Sequence, residues 1–270
     1  MEIKADCHIH TSYCDGKDTP RDIVESAYKR GFTHLGFSGH SYFAYPEPFG
    51  MSDKQYENYK EDILSLKDEY KGKMQIILGI EQEYYGKRVE AEYCIGSCHC
   101  LKRKEQFITI DSSPELLETA VLQFWDGNWY SFIESYYNTI AHLKEKTNCD
   151  LIGHFDLVTK FNEGNRYFDE NSEQYFEIAW ETMKYLKKWD IPFEVNSGAI
   201  SRGYRKEPYP SMRLLKELNN IGGKVSITSD SHRKETVGYH RLESMKRIYQ
   251  CGFRKHSIMT EDGMMEIKIG

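Results

Sequence analysis

The chain opens on an alternation. Ile3, Ala5, Cys7 and Ile9 fall on one face of an extended backbone and Lys4, Asp6, His8 and His10 on the other, which is the period of a β-strand. The pattern then changes: Thr19 offers an N-cap, Pro20 the first helical position, Ile23, Val24, Ala27 and Tyr28 an apolar stripe, and Gly31 a stop. These signals mark both ends of a helix. Short apolar runs keep recurring, separated by longer helical patterns: THLGFSGH to His40, MQIILGIE to Glu81, EYCIGSCH to His99, CDLIGH to His154, IPFEVN to Asn196, and GKVSITSDSH through Asp230 to His232. Between the later runs lie the helix-like ENSEQYFEIAWETMKYLKKW and PSMRLLKELNNIG.

Strand alternating with helix predicts an α/β fold of βαβ units with a parallel sheet, and 270 residues suffice to close that sheet into one barrel. No internal repeat, low-complexity tract or Pro/Gly/Ser linker interrupts the pattern, so a single domain over residues 1–270 is expected. The informative feature is positional. Every strand run ends in, or carries just past its end, a histidine, a carboxylate or an asparagine. In α/β barrels the C-terminal ends of the strands converge on one face, where catalytic groups collect.

Composition narrows the partners. A formal net charge of −6 leaves no basic excess to neutralise a phosphate backbone, so a small-molecule partner is expected rather than nucleic acid. No charged segment leads into an apolar stretch, and no apolar run approaches the roughly 18 residues of a membrane span. A cytoplasmic protein without membrane association is expected. Seven scattered cysteines suit a reducing compartment better than a disulfide framework. The oligomeric state is not legible in the sequence.

The clustered polar residues have a chemistry of their own. Side chains two apart on a strand point the same way, roughly 6.5 Å apart, so His8 and His10 can grip one ion together. Imidazole suits zinc, manganese and iron, and carboxylates can bridge two ions. His8, His10, Asp15, His40, Glu81, His99, His154, Asp230 and His232 make nine candidate ligands. One ion cannot use nine, so two or three metal ions are expected, with Glu81 shared. Such clusters lower the pKa of water from ~16 to about 7 and clamp attacking and leaving oxygens. Hydrolysis of a phosphate ester is the reaction they suit.

Taken together and in this order, HIHTSYCDG, GFSGH, GIEQEY, CHC, GHFDL, EVNSG and SDSH resemble the polymerase-and-histidinol-phosphatase (PHP) superfamily over nearly the whole chain. The continuation NSGAISRGYRKEPYPS and the length resemble its histidinol-phosphate phosphatase branch. That resemblance implies a distorted, TIM-barrel-like (β/α)7 barrel with a trinuclear site at the strand ends, acting on L-histidinol phosphate in histidine biosynthesis. It places His8, His10, Glu81 and Asp230 on one metal and Glu81, His99 and His154 on a second. Asp15, His40 and His232 would take the third, with Asp15 standing where many members of the family carry histidine.

A phosphate monoester needs cationic partners besides metals. Lys160 follows His154 by six residues and Arg202 follows Asn196 by six, so both can reach the mouth, which Asn196 itself is expected to face. Tyr42 and Phe43, just beyond His40, are candidates to line it. The expected mechanism is in-line attack of hydroxide on phosphorus, assisted by Arg202 or Lys160, with Asp230 or His232 moving a proton to the leaving alkoxide. His34 stands at the N-terminal end of its strand, His142 falls in the helical TIAHLKEK, His240 and His256 have no ligand-bearing neighbours, and Cys98 and Cys100 of CIGSCHC point away from His99 on a strand. Another PHP-type phosphoesterase, acting on tyrosine phosphate or a nucleotide, and a non-catalytic metal-binding protein stay open.

Overall fold

The computed structural model describes residues 3–44 and 49–269. In chain order its first half comprises β1 (Ala5–Asp6), α1 (Pro20–Lys29), β2 (His34–Phe37), α2 (Asp53–Glu69), β3 (Gln75–Glu83), β4 (Tyr93–Ser97), β5 (Cys100–Arg103), β6 (Gln106–Thr109), α3 (Pro114–Trp125), α4 (Trp129–Ile140) and α5 (Leu143–Thr147). The second half comprises β7 (Leu151–Ile152), α6 (Glu173–Lys187), β8 (Phe193–Asn196), α7 (Gly198–Ser201), α8 (Met212–Asn220), β9 (Val225–Thr228), α9 (Arg241–Gln250), β10 (Lys255–Thr260) and β11 (Gly263–Lys268).

All seven expected strand runs enter one sheet, in the order β1-β2-β3-β4-β7-β8-β9, parallel throughout. Beyond the last ligand-bearing run the sheet continues with β10, parallel to β9, and β11, antiparallel to β10. The two sides of the curled sheet meet past β1 and β9, where His10 N–H donates to Ser231 O at 2.8 Å and Ser231 N–H to His8 O at 3.0 Å. The helices follow their caps. Thr19 accepts from Asp22 N at the start of α1, and Ser52 with Gln55 forms a capping box on α2. His142, expected inside a helix, sits at the junction where α4 ends and α5 begins. Among the described residues no helix is long and apolar enough to cross a membrane.

The even alternation expected through His10 breaks after β1. Asp6 turns its carboxylate to accept from His8 N at 3.2 Å and from Ser229 and Gly238 N, a local bond that competes with the strand ladder. As a result Cys7 packs in an inner apolar cluster with Ile77, Tyr93, Ile95, Leu151 and Met259. Ile9 packs in the cluster beneath α1 and α2. A larger cluster lies under α3, α4, α6 and α8. Gly79 in β3 makes room for Tyr93: a Cβ there would come within 2.1 Å of the ring. The Tyr93 hydroxyl reaches the carbonyls of Cys7 and Phe37 at 2.6 and 2.9 Å, tying β4 to the first two strands.

Between β4 and β7 the chain makes an excursion, the antiparallel β5–β6 hairpin followed by α3, which builds one wall over the strand ends.

Candidate metal centre

Where the strands end, the chain brings all nine candidate ligands together, with Glu81 of β3 as the hub. Its Oε2 lies 2.9 Å from His40 Nδ1, 3.3 Å from His8 Nε2 and 3.4 Å from His10 Nε2. Its Oε1 faces a different pair, His154 Nε2 at 2.8 Å and His99 Nε2 at 3.4 Å. Asp230 Oδ1 is 3.3 Å from His10 Nε2 and 3.6 Å from His232 Nδ1. Asp15, half exposed, sets Oδ2 3.0 Å from His232 Nε2 and Oδ1 3.3 Å from His10 Nδ1. Three overlapping groups have ligand atoms within 4.8 Å of one another: His8, His10 and Asp230; His40, Glu81 and His99; and His10, Asp15, His40 and His232. His40 therefore stands between two groups, closer to Glu81 than to Asp15, which is 3.6 Å away.

These residues fit divalent metal ions. His8 Nε2, His10 Nε2 and Glu81 Oε2 are buried with no hydrogen-bond partner among the described residues, although buried polar atoms are nearly always satisfied. They converge on the same space, and a mixed set of imidazoles and carboxylates is a donor set for zinc, manganese or iron.

A further layer aims the ligands. Glu194 accepts from His8 Nδ1, and its other oxygen accepts from His154 N–H at 2.6 Å. Glu83 does the same for His99 through both Nδ1 and N–H, at 2.9 and 3.0 Å. Fixing Nδ1 leaves Nε2 as the ligating nitrogen and sets the ring orientation. Both glutamates lie outside the ligand set read from the sequence, yet the signal was present: Glu83 stands two residues from Glu81, and Glu194 two from Asn196. Residues so spaced on a strand share a face. Asp230 has φ +48°, a left-handed conformation uncommon outside glycine. Beside it Gly198 leaves space that a Cβ would fill, 2.6 Å from Asp230 Oδ2.

The electrostatics follow from this crowding. Burial raises the Glu81 carboxyl, but His40, His8 and His99 outweigh it and hold the group well below the usual carboxylate range. Asp230 is likewise held low, with Arg202 and His8 overcoming burial. Burial lowers His8, yet Glu194, Asp230 and Glu81 push it up to about 10. The carboxylates thus demand positive charge among them, which protonated imidazoles or metal ions can supply.

The remaining site expectations fare differently. Arg202 points back into the centre, with Nη2 donating to Asp230 Oδ2 at 2.9 Å and Nη1 to His232 Nδ1 at 3.1 Å. Lys160 is buried and donates to Asp111 O at 2.7 Å and Oδ2 at 3.2 Å. Asn196, expected to face the mouth, is fully buried and spans Glu194 and Asp230 at 3.0 and 3.3 Å, so it supports a ligand and does not line the mouth. A cavity of about 610 Å³ opens over Asp15, His40 and His99, and its far walls are Phe49, Asp111 and Leu116. Tyr42 and Phe43 are not among its lining residues. Phe43 packs against Phe49, Tyr85 and Phe107, and Phe49, four residues after the stretch that lies outside the described residues begins, takes the expected aromatic place. His34 opens β2, remote from the centre, and Cys98 and Cys100 are buried thiols pushed up by burial.

Comparison with known proteins bears on the family and the fold. The family model described as PHP domain matches residues 6–198. A protein of Schizosaccharomyces pombe named "Probable histidinol-phosphatase" is 31% identical over 164 residues, 60% of this chain and 51% of that one. The chain thus spans about half the length of this relative. Two crystal structures share the fold. A "putative histidinol phosphatase" from Listeria monocytogenes superposes with a TM-score of 0.77 at 20% identity, covering 89% of this chain and 99% of that one. The histidinol phosphate phosphatase of Lactococcus lactis, complexed with zinc, L-histidinol and phosphate, gives 0.71 at 19% identity, covering 98% and 100%.

Proposed function

The chain belongs to the PHP domain family, and we propose from this premise that it is a metal-dependent phosphomonoesterase converting L-histidinol phosphate and water to L-histidinol and phosphate. The observation that carries the reading is Glu81, whose two oxygens face two separate sets of histidines at the ends of parallel strands. In this reading His8, His10, Glu81 and Asp230 hold one ion, Glu81, His99 and His154 a second, and Asp15, His40 and His232 a third. Ions so held supply Lewis-acid charge to phosphoryl oxygens and acidify water beside the substrate. The names of the similar proteins support the choice of ester.

The chain's own groups divide the remaining work. Glu194 and Glu83 hold the rings of His8 and His99 in one tautomer. Arg202 keeps a guanidinium beside Asp230 and retains N–H groups for a phosphoryl oxygen, and Lys160 retains one after its two bonds to Asp111. His232 Nδ1 accepts from Arg202, which leaves Nε2, 3.0 Å from Asp15 Oδ2, as the nitrogen that would ligate the third ion; with that ion absent, Nε2 instead carries the proton that can pass to a leaving alkoxide.

The test is turnover of L-histidinol phosphate by protein reconstituted with zinc, manganese or iron, with metal content measured on the same sample. Two to three equivalents per chain are expected, with activity lost on chelation and regained on metal return. A loaded protein that prefers a phosphotyrosine peptide or a nucleotide over L-histidinol phosphate, or hydrolyses none of them, overturns the reading.

A further inference from the structure

The mouth cavity contains a group that the proposed chemistry leaves unused. Asp111, between β6 and α3, lines the cavity that also opens on Asp15, His40 and His99, and its side chain is 25% exposed. A carboxylate here is unfavourable for a dianionic phosphate ester, since like charges in a partly desolvated cleft repel strongly. Lys160 offsets that charge through Asp111 O and Oδ2, and no hydrogen bond among the described residues engages Oδ1. The neighbouring walls are apolar. Leu116 is 60% exposed at the rim, and Phe49 stands edge-on to His40 with ring centroids 5.5 Å apart. Outward from the ligands the cavity therefore offers a carboxylate acceptor flanked by an aliphatic and an aromatic surface. An ester that carries a cation and a flat ring beyond its phosphate complements all three.

Building on the phosphomonoesterase reading, we propose that Asp111 determines specificity: its carboxylate receives the protonated amine of the substrate and so selects amine-bearing phosphate monoesters over neutral ones. A charge-assisted hydrogen bond of this type is worth roughly 10- to 100-fold in binding.

The experiment compares metal-loaded wild type and Asp111→Asn on L-histidinol phosphate and on its analogue lacking the amine, 3-(imidazol-4-yl)propyl phosphate. Affinities for L-histidinol and 3-(imidazol-4-yl)propanol are measured by calorimetry on the same samples, with metal content and melting temperature as controls. Wild type should favour the amine-bearing member of each pair by roughly 10- to 100-fold, and Asp111→Asn should bring both ratios to within about threefold of one. Lys160→Gln, which removes the partner of Asp111, should lower turnover of both esters while keeping the preference. Equal losses on both esters in Asp111→Asn would mean that Asp111 only anchors Lys160, and an unchanged ratio would mean that it touches no amine; either result overturns the proposal. If wild type hydrolyses neither imidazole ester, the substrate reading fails by itself. The same ratio is then read on ethanolamine phosphate against ethyl phosphate, where a wild-type value near one overturns the role of Asp111 as well.

Discussion

Two buried histidines separate the two ends of the sheet. His8, where the strands end, is surrounded by Glu81, Glu194 and Asp230, and these carboxylates override burial and push it up to about 10. His256 lies on β10, beside the start of β9. Burial brings it down to about 4, Arg241 adds to the effect, and neither ring nitrogen has a hydrogen-bond partner among the described residues. The residue type and the degree of burial are nearly the same, and the shift has the opposite sign. Burial alone makes an imidazole neutral, whereas desolvated carboxylates around it create a demand for cations. One end of the molecule is thus built to hold positive charge. The other is closed over an apolar interior of Cys7, Ile77, Tyr93, Ile95, Leu151 and Met259.

The largest way to break this contrast is Glu81→Ala, which removes the carboxylate that both histidine sets face. Activity should fall roughly 10³-fold or more and at least one metal equivalent should be lost, whereas Asp15→Ala, at the half-exposed edge, should lose less of both. Elemental analysis and kcat on the same preparations measure this, and a near-normal kcat in Glu81→Ala would show that the hub is misplaced.

Arg202→Ala is the next in size. Its guanidinium is bonded to Asp230 and His232, so kcat/KM should fall roughly 10²-fold and metal should also be held about tenfold more weakly. Sequence reasoning alone assigns Arg202 to phosphate and leaves metal content unchanged on its removal. Metal titration of the variant separates the two accounts, since unaltered metal affinity would return Arg202 to a purely substrate-facing role.

The smallest effect is expected at the opposite end. The folded pKa of His256 is about 4 against an ordinary value of 6.5, so the unfolded chain takes up the proton more readily. Wild type therefore loses stability from this group as pH falls from 6.5 toward 4, by about 3 kcal/mol in total, with no penalty above that window. His256→Leu removes the liability. Its melting temperature relative to wild type should rise steadily on acidification through this window, and a difference independent of pH would contradict the assignment.

Much of this molecule was legible before any coordinates. Apolar runs ending in polar residues located seven parallel strands, and Thr19, Pro20 and Gly31 bracketed α1 where it forms. The two-residue strand period that singled out His8 and His10 also marks Glu83 beside Glu81 and Glu194 beside Asn196, so the orienting glutamates were readable by a rule applied to only one strand. β10 and β11 were less so, because β10 is buried along nearly its whole length and shows no alternation.

What the sequence determined by itself was the side of the sheet and the kind of donor: local periodicity decides which way a side chain points and at which end of a strand it stands. Which partner each charged group meets was decided only by the tertiary structure. Arg202 finds Asp230 from 28 residues away, and Lys160 finds Asp111 from 49. Those meetings depend on the curl of the sheet, the left-handed turn at Asp230, the space left by Gly198 and the path of the excursion after β4. Each is set by packing between distant segments, which a periodicity spanning a few residues does not encode.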